Sequence, residues 1–287
     1  VWGRRLDRRG PSIQNISRRG NRGHRYLVIG SSMVKKHRRA IAAFLAAAAV
    51  AALLAGCGGD PPGKPPASEG ATVNRPVSSS IENVPFTTST GARMSLSDLR
   101  GKVVVLADFL TLCGEVCPMT SSNMNRMART VAKDHLGSKV VFVEFTVDPG
   151  RDTPARLAAY RNLYPKASNW ILVTTTPSNL AKFSKYFGVY YAKTKEDNPP
   201  DIDWLTSKPL TYDIAHQDAV IFLDKQGHER FLVLGNANTQ GAAPPTTLDK
   251  FLDAEGKKDL KNPGPLSWTV PEGLQAVSWL VGKQVSP

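Results

Sequence analysis

Two cysteines stand four positions apart where an apolar run gives way to a helical pattern, and this feature constrains the fold more than any other. Cys113 and Cys117 follow the apolar run Val103–Phe109. A continuous apolar run of this length is typical of a strand buried on both faces. Pro118 is favourable in a first helical turn, so the segment predicts a strand, a loop with two thiols and a helix. Since the chain has only three cysteines, the pair calls for a chemical explanation.

Segments with strand character alternate with helical patterns along the rest of the chain. Strands are predicted at 103–109, 139–147, 170–174, 219–223 and 230–234, helices at 118–137, from Thr153 and from a cap at Ser178, and hairpins at 86–94 and around 224–227. The order predicts an α/β fold with a central mixed sheet and helices on both faces, in a thioredoxin-like arrangement with loop insertions. The charged segment 190–212 is expected to be a surface loop. The chain after residue 236 is expected to be irregular, with one short helix near 248–253 and an amphipathic segment, 273–282, packed on the sheet.

The first 80 residues have the composition of export and tethering segments. Residues 33–56 contain a basic stretch and then an uncharged apolar stretch, which predicts a secretory signal. They end in Leu-Ala-Gly before Cys57, which resembles the lipobox of bacterial lipoproteins, so Cys57 is the expected lipidation site. Residues 57–80 are expected to be a flexible tether and 81–287 the folded domain, held at the extracytoplasmic side of a bacterial membrane. An uncleaved membrane helix is the alternative, and residues 1–32 are expected to be an unstructured upstream extension.

Net charge gives no support for a nucleic-acid partner. Residues 1–56 hold 12 Lys and Arg and one Asp, so they contribute +11 of the net +13. The rest of the chain is therefore close to +2, and the basic character belongs to the export region.

The spacing of Cys113 and Cys117 is compatible with several kinds of chemistry. Thiols at i and i+4 in a first helical turn share a face, which suits a soft metal or a reversible disulfide, and the helix N-terminus lowers thiol pKa. Thioredoxin-type oxidoreductases have two residues between their cysteines, so three here count against the redox interpretation but leave it open. A structural disulfide is a further alternative in an exported protein, although such bonds generally close longer loops.

His216 is the histidine best placed to join the thiols. It lies directly before the predicted strand Ala219–Leu223, on a loop that a thioredoxin-like sheet would bring beside the cysteines. His135, late in the first helix, and His228, in a hairpin turn, are expected to be solvated. Two thiolates suffice for Cu(I), and an imidazole nitrogen would make the site serviceable for Cu(II) as well.

Three motifs in this order resemble those of the SCO/SenC family. They are Phe-Leu-Thr-Leu-Cys-Gly-Glu-Val-Cys-Pro at 109–118, Phe-Thr-Val-Asp-Pro-Gly-Arg-Asp-Thr-Pro at 145–154, and Tyr-Asp-Ile-Ala-His at 212–216 leading into 221–227. Family members are thioredoxin-like, membrane-tethered copper proteins that help to assemble the Cu(A) centre of cytochrome c oxidase. The resemblance implies one copper ion, Cu(I) or Cu(II), per chain, with Cys113, Cys117 and His216 as ligands.

The resemblance also implies partners, namely the oxidase subunit that carries Cu(A) and either another copper chaperone or a thiol reductase. Gly114 stands where members often have Pro, Gln217 stands where Ser is common, and the region after 236 is longer than expected. The segment 148–154 is interpreted as a structural turn, with Thr153 as a helix cap.

The predicted function is that of a metallochaperone, which need not be an enzyme, with all three ligands exposed enough to pass the metal on. The alternative is a thiol–disulfide oxidoreductase that uses Cys113 and Cys117 and does not need His216. A peroxidase of the same fold would need one reactive cysteine, so the paired thiols favour it least.

Overall fold

The computed structural model describes residues 61–286. The strands are Ala71–Pro76 (β1), Phe86–Thr88 (β2), Arg93–Met94 (β3), Val103–Phe109 (β4), Val140–Thr146 (β5), Trp170–Thr174 (β6), Tyr191–Thr194 (β7), Asp213–His216 (β8), Ala219–Leu223 (β9) and His228–Leu234 (β10). The helices are Ser79–Glu82 (α1), Cys117–Lys133 (α2), Pro154–Arg161 (α3), Pro177–Phe187 (α4), Thr246–Asp249 (α5), Ala254–Lys261 (α6) and Val270–Val281 (α7), and Leu96–Leu99 forms a 3-10 turn.

The predicted signal, the lipidation site Cys57 and most of the predicted tether lie outside the described residues. Within 61–286 there is no helix with the length and apolar character needed to cross a membrane.

Eight strands form one mixed sheet in the order β1-β10-β9-β4-β5-β6-β2-β3. Strands β4, β5 and β6 run parallel, whereas β9 pairs antiparallel with β4 and with β10. The β2/β3 hairpin extends the sheet beyond β6. This is the thioredoxin-like arrangement predicted from the sequence, and it places the carboxyl end of β4 near the middle of the sheet.

Helices cover both faces of the sheet. Adjacent residues of a strand point to opposite faces. Glu144 of β5 accepts a hydrogen bond from Ser121 of α2, at 2.7 Å, whereas the next residue, Phe145, packs edge-to-face on Phe183 of α4. Helix α7 packs against α2 and β4, as expected for the amphipathic segment near the C-terminus.

Part of the predicted tether is ordered. Strand β1 lies within residues 57–80 and pairs antiparallel with β10 at the edge of the sheet. Its sequence, Ala-Thr-Val-Asn-Arg-Pro, is largely polar because only one neighbouring strand and little core surface contact it. An ion pair between Arg75 and Glu229 adds to the pairing. The folded domain therefore begins about ten residues earlier than predicted.

Two helix boundaries also differ from the prediction. The cap of α4 is Thr176, whose side chain accepts a hydrogen bond from the backbone N–H of Asn179, and not Ser178. Helix α2 ends at Lys133 rather than near Gly137.

The two regions expected to be irregular contain regular structure. Strand β7 lies in the 190–212 insertion and pairs with β8, which directly follows the insertion, in a separate two-stranded sheet. After residue 236 the chain forms three helices, where one short helix and one amphipathic segment were expected. Gly and Pro in these stretches separate short elements and do not prevent them.

Candidate metal centre

The two thiols lie at the carboxyl end of β4, but they do not share a helical face. Cys113 is in the loop that follows β4, and only Cys117 is helical, as the first residue of α2. The prediction that both thiols lie in a first helical turn is therefore wrong. The loop turns back on itself, and the backbone N–H of Leu110 donates to Cys117 Sγ at 3.4 Å. Both cysteines are free thiols.

His216 completes a cluster with the thiols. It is the last residue of β8 and not a loop residue, because the 190–212 insertion returns as a strand. Its Nε2 lies 3.4 Å from Cys117 Sγ, and one atom from each of Cys113, Cys117 and His216 lies within 4.8 Å of the others. Sulfur and nitrogen ligands about 2.0–2.3 Å from a common ion lie at most about 4.6 Å apart. The limit of 4.8 Å exceeds this by only about 0.2 Å, so a small movement of the side chains brings all three onto one ion.

Asp108 fixes the orientation of the His216 ring. Its Oδ2 lies 2.7 Å from His216 Nδ1, and its Oδ1 accepts a hydrogen bond from the Ala219 N–H at 2.9 Å. The side chains of Asp108 and His216 are 0% and 5% exposed. With Nδ1 held by the carboxylate, Nε2 faces the sulfur atoms, which is the arrangement commonly found for metal-binding histidines. The role of Asp108 was not predicted, although Asp108 is the single charge in the apolar strand that leads to the thiols.

The two thiols differ in their ionisation. A hydrogen bond from Cys117, helped by the nearby His216 ring, lowers the pKa of the Cys113 thiol well below its ordinary value despite burial. Burial raises the pKa of Cys117 well above its ordinary value. Burial alone would lower the pKa of His216, but hydrogen bonds to Asp108 and Cys113 raise it well above the usual range. At Cys117 desolvation therefore outweighs the lowering of thiol pKa that is expected at a helix N-terminus.

Two groups hold the beginning of the cysteine loop. The backbone N–H of Thr111 donates to Asp152 Oδ2 at 3.1 Å, and the hydroxyl of Thr111 donates to the other oxygen of the same carboxylate. Trp204, in the 190–212 insertion, donates from Nε1 to the carbonyl oxygen of Thr111 at 2.7 Å. Burial raises the pKa of Asp152 to about 6. The insertion is therefore part of the support for the loop.

The second sequence motif has the structural role that was predicted, and it also contacts the third. Thr153 caps α3 by accepting from the Arg156 N–H at 3.3 Å. Arg151 pairs with Asp148 and donates to the carbonyl oxygen of Tyr212 at 2.7 Å. Since Tyr212 immediately precedes β8, this contact fixes the start of the strand that ends at His216.

Access to the cluster is uneven. Cys117 is 1% exposed and the His216 side chain 5%, whereas Cys113 is partly exposed. The expectation that all three side chains are exposed is therefore wrong for Cys117 and His216. Cys113 and His216 line a cavity of about 500 Å³ that also contains nine carboxylate side chains and one lysine. Such a cavity attracts cations.

The other two histidines of the described chain lie away from the cluster. His135 is exposed just after the end of α2, with a φ of 61°, and His228 is the first residue of β10. In residues 61–286, Cys113, Cys117 and His216 are the one group of His, Cys and acidic side chains close enough to hold a metal ion.

Comparisons with known proteins agree with the motifs. The SCO1/SenC family model matches residues 78–244. A SCO2-like protein of Rickettsia prowazekii is 28% identical over 130 residues, which is 45% of this chain and 57% of the relative. A protein of Stutzerimonas stutzeri named for copper binding is 30% identical over 112 residues, 39% of this chain and 50% of the relative. The matches thus span about half the length of these curated relatives.

Solved structures are also similar. The structure of Bradyrhizobium japonicum ScoI with copper bound is 24% identical, with a TM-score of 0.43 over 58% of this chain and 94% of that chain.

Proposed function

Because this chain belongs to the SCO1/SenC family, we propose that it binds copper through Cys113, Cys117 and His216 and delivers it to the Cu(A) site of cytochrome c oxidase. The Sco family is one of cytochrome c oxidase assembly proteins. The observation that carries the proposal is the cluster itself, in which two sulfur atoms and an imidazole nitrogen lie within 4.8 Å of one another.

Two thiolate sulfurs and one imidazole nitrogen are donors that favour copper. Thiolate sulfur is a soft ligand that selects Cu(I), and imidazole nitrogen suits both oxidation states of copper. The Stutzerimonas relative is named for copper binding. With one cluster in the described residues, we expect one copper ion per chain.

The uneven burial supports one direction for the release of copper. Cys113 is the most accessible of the three ligands and lines the acidic cavity together with the His216 ring, whose side chain is 5% exposed, whereas Cys117 is buried. A thiolate of the recipient therefore approaches from the Cys113 side, and Cys113 is the last ligand that the ion contacts. The carboxylates of the cavity favour a positively charged ion or partner at this opening.

Copper transfer to a soluble apo domain that carries Cu(A) tests delivery. Protein loaded with copper should produce the absorption of the Cu(A) centre when mixed with the apo domain, and Cys113→Ser protein incubated with the same copper should not. His228→Ala, a change at a histidine outside the cluster, should transfer copper like the unaltered protein. Absence of transfer by fully loaded protein would refute delivery while leaving copper binding intact.

We also propose that the chain is anchored to a bacterial membrane by a lipid on Cys57, with the domain on the extracytoplasmic side. The Leu-Ala-Gly-Cys sequence at 54–57 supports this. Mass analysis of the protein from membranes should find an acylated N-terminal cysteine. A chain that keeps residues 33–56 would contradict the anchor.

A thiol–disulfide oxidoreductase is the second candidate, and one observation favours it. The pKa of Cys113 is lowered and that of Cys117 raised, as suits an attacking thiolate and a buried resolving thiol. In this case His216→Ala should retain disulfide exchange with a model substrate. If reduced protein exchanges disulfides no faster than free cysteine does, this function is excluded.

A further inference from the structure

The segment 251–256, beyond the part of the chain that the family model matches, packs directly on the loop between the two thiols. The backbone N–H of Asp253 donates to the carbonyl oxygen of Gly114 at 3.1 Å. Asp253 is also the cap of α6, because its Oδ1 accepts from the Gly256 N–H at 2.7 Å. The first turn of α6 is therefore fixed against the residue next to Cys113.

Two glycines make this contact possible. A Cβ atom on Gly256 would lie 2.3 Å from the carbonyl oxygen of Gly114 and 2.9 Å from that of Glu115. A Cβ on Gly114 would lie 3.0 Å from the carbonyl oxygen of Phe251. The two backbones thus pack without intervening side chains. Glycine inside a helix is unfavourable, so its presence in α6 reflects the close approach.

The segment is itself held firmly by the core. Leu248 and Leu252 are each 2% exposed and belong to the main hydrophobic cluster. Asn236 donates to Asp259 Oδ2 at 2.7 Å, which ties α6 to the end of β10. A contact from such an anchored segment limits the positions that the loop can adopt.

Cys113 consequently lies between two fixed points. Thr111 is held by Asp152 and by Trp204 on one side, and Gly114 is held by Asp253 on the other. Cys117 and His216 are already fixed by their burial and by Asp108. Cys113 is thus the one ligand that lies in a loop and not in a strand or helix, and the segment 251–256 restricts that loop.

We propose that the segment 251–256 is a positioning element for copper binding, with Gly256 and Asp253 as its positioning residues. It holds Cys113 Sγ close to Cys117 and His216, so that the ion meets a preformed site and little loop ordering opposes binding. The inference rests on the proposed copper-binding function and extends it to the chain beyond residue 244.

Gly256→Val tests the contact, with Lys257→Gly as the matched control. The valine displaces the Gly114 carbonyl, whereas Lys257 is exposed and its replacement weakens the same helix without touching the loop. We expect Gly256→Val to lower Cu(II) affinity roughly 10- to 100-fold, as loss of other supporting contacts around metal ligands does. It should also shift the thiolate-to-copper absorption, and Lys257→Gly should leave both unchanged. An affinity within about twofold of the unaltered protein and an unchanged spectrum would overturn the proposal.

Asp253 provides a second test that does not add a side chain to the interface. Asp253→Ala removes the cap of α6, whereas Asp253→Asn keeps a capping oxygen and removes only the charge. Asp253→Ala should shift the thiolate-to-copper absorption. Asp253→Asn should keep the absorption of the unaltered protein. An identical shift in both would assign the effect to charge in the cavity and overturn the positioning role. This pair decides the question if Gly256→Val does not fold.

A copper-free measurement separates this proposal from the proposed function. The rate at which iodoacetamide alkylates Cys113 should rise in Gly256→Val and in Asp253→Ala, because the loop is released. If the unaltered protein binds no copper, the proposed function fails, while these rates still show whether the segment restrains the loop. Equal rates in all folded variants would refute the restraint.

Discussion

Replacing Asp108 with Asn should weaken copper binding and change the number of protons released. Both carboxylate oxygens of Asp108 accept hydrogen bonds, from His216 Nδ1 at 2.7 Å and from the Ala219 N–H at 2.9 Å. Asparagine has one acceptor oxygen, so it can satisfy only one of the two donors. If its NH₂ group faces His216, Nδ1 must accept and the proton moves to Nε2, the atom that faces the thiols.

The size of the effect follows from the difference between a hydrogen bond to a charged carboxylate and one to a neutral amide. A hydrogen bond to a charged group contributes about 1.5–3 kcal/mol and a neutral one about 0.5–1.5 kcal/mol. The change therefore costs about 1–2 kcal/mol, which corresponds to roughly a 5- to 30-fold loss of affinity. The loss of the carboxylate also removes the main support for the raised pKa of His216, so the pKa of the ring should fall in the variant.

Calorimetric titration with Cu(II) under anaerobic conditions, in two buffers of different ionisation enthalpy, measures affinity and proton release together. We expect Asp108→Asn to release fewer protons than the unaltered protein, because less of the His216 ring is protonated before the metal binds. Asp249→Asn, a change at an exposed carboxylate, is the control. Unchanged affinity and unchanged proton release in folded Asp108→Asn protein would refute the role assigned to this carboxylate.

Three further predictions follow from the ionisation of buried groups. Because the pKa of Cys113 is lowered, the unaltered protein should release fewer than three protons when Cu(II) binds to Cys113, Cys117 and His216. A count of three in the same calorimetric titration would contradict this lowered pKa. Limiting iodoacetamide should alkylate Cys113 before Cys117, and peptide mass mapping that finds the reverse order would show that the assigned asymmetry is wrong. Burial raises the pKa of Glu144 to about 7, so its contribution to stability is complete below the unfolded pKa and is lost as the pH rises through about 7. Urea unfolding should show that the free energy of unfolding falls by up to about 3 kcal/mol between about pH 4 and about pH 8. Glu144→Gln should lack this fall, and an equal pH dependence in both proteins would contradict the prediction.

The sequence predicted best those elements whose signal is local. Val103–Phe109 and Trp170–Thr174 are buried strands, and their apolar runs gave both boundaries correctly. Strand β1 was not predicted because its sequence is polar. It is held as a strand by its pairing with β10, which is more than 150 residues away in the sequence. Short helices between Gly and Pro residues, such as α6, likewise depend on packing that no local pattern indicates.

The three residues of the cluster were predicted from the sequence, but the contacts that support them were not. Three motifs located Cys113, Cys117 and His216, and the structure brings them together. The i, i+4 spacing wrongly placed Cys113 in a helix, because the contacts of Thr111 and Gly114 hold the residues before Cys117 in a loop. Trp204 and Gly256 gave no signal, since each acts through a contact with a distant part of the chain.

Titration of the reduced protein with Cu(II), followed by thiolate-to-copper absorption, tests the central claim most directly. We expect saturation at one copper per chain and an intense charge-transfer band. His216→Ala should lose or shift this band, and His228→Ala should keep it. Binding of Cu(II) without the band, or a band that His216→Ala leaves unchanged, would contradict the account of a site formed by Cys113, Cys117 and His216.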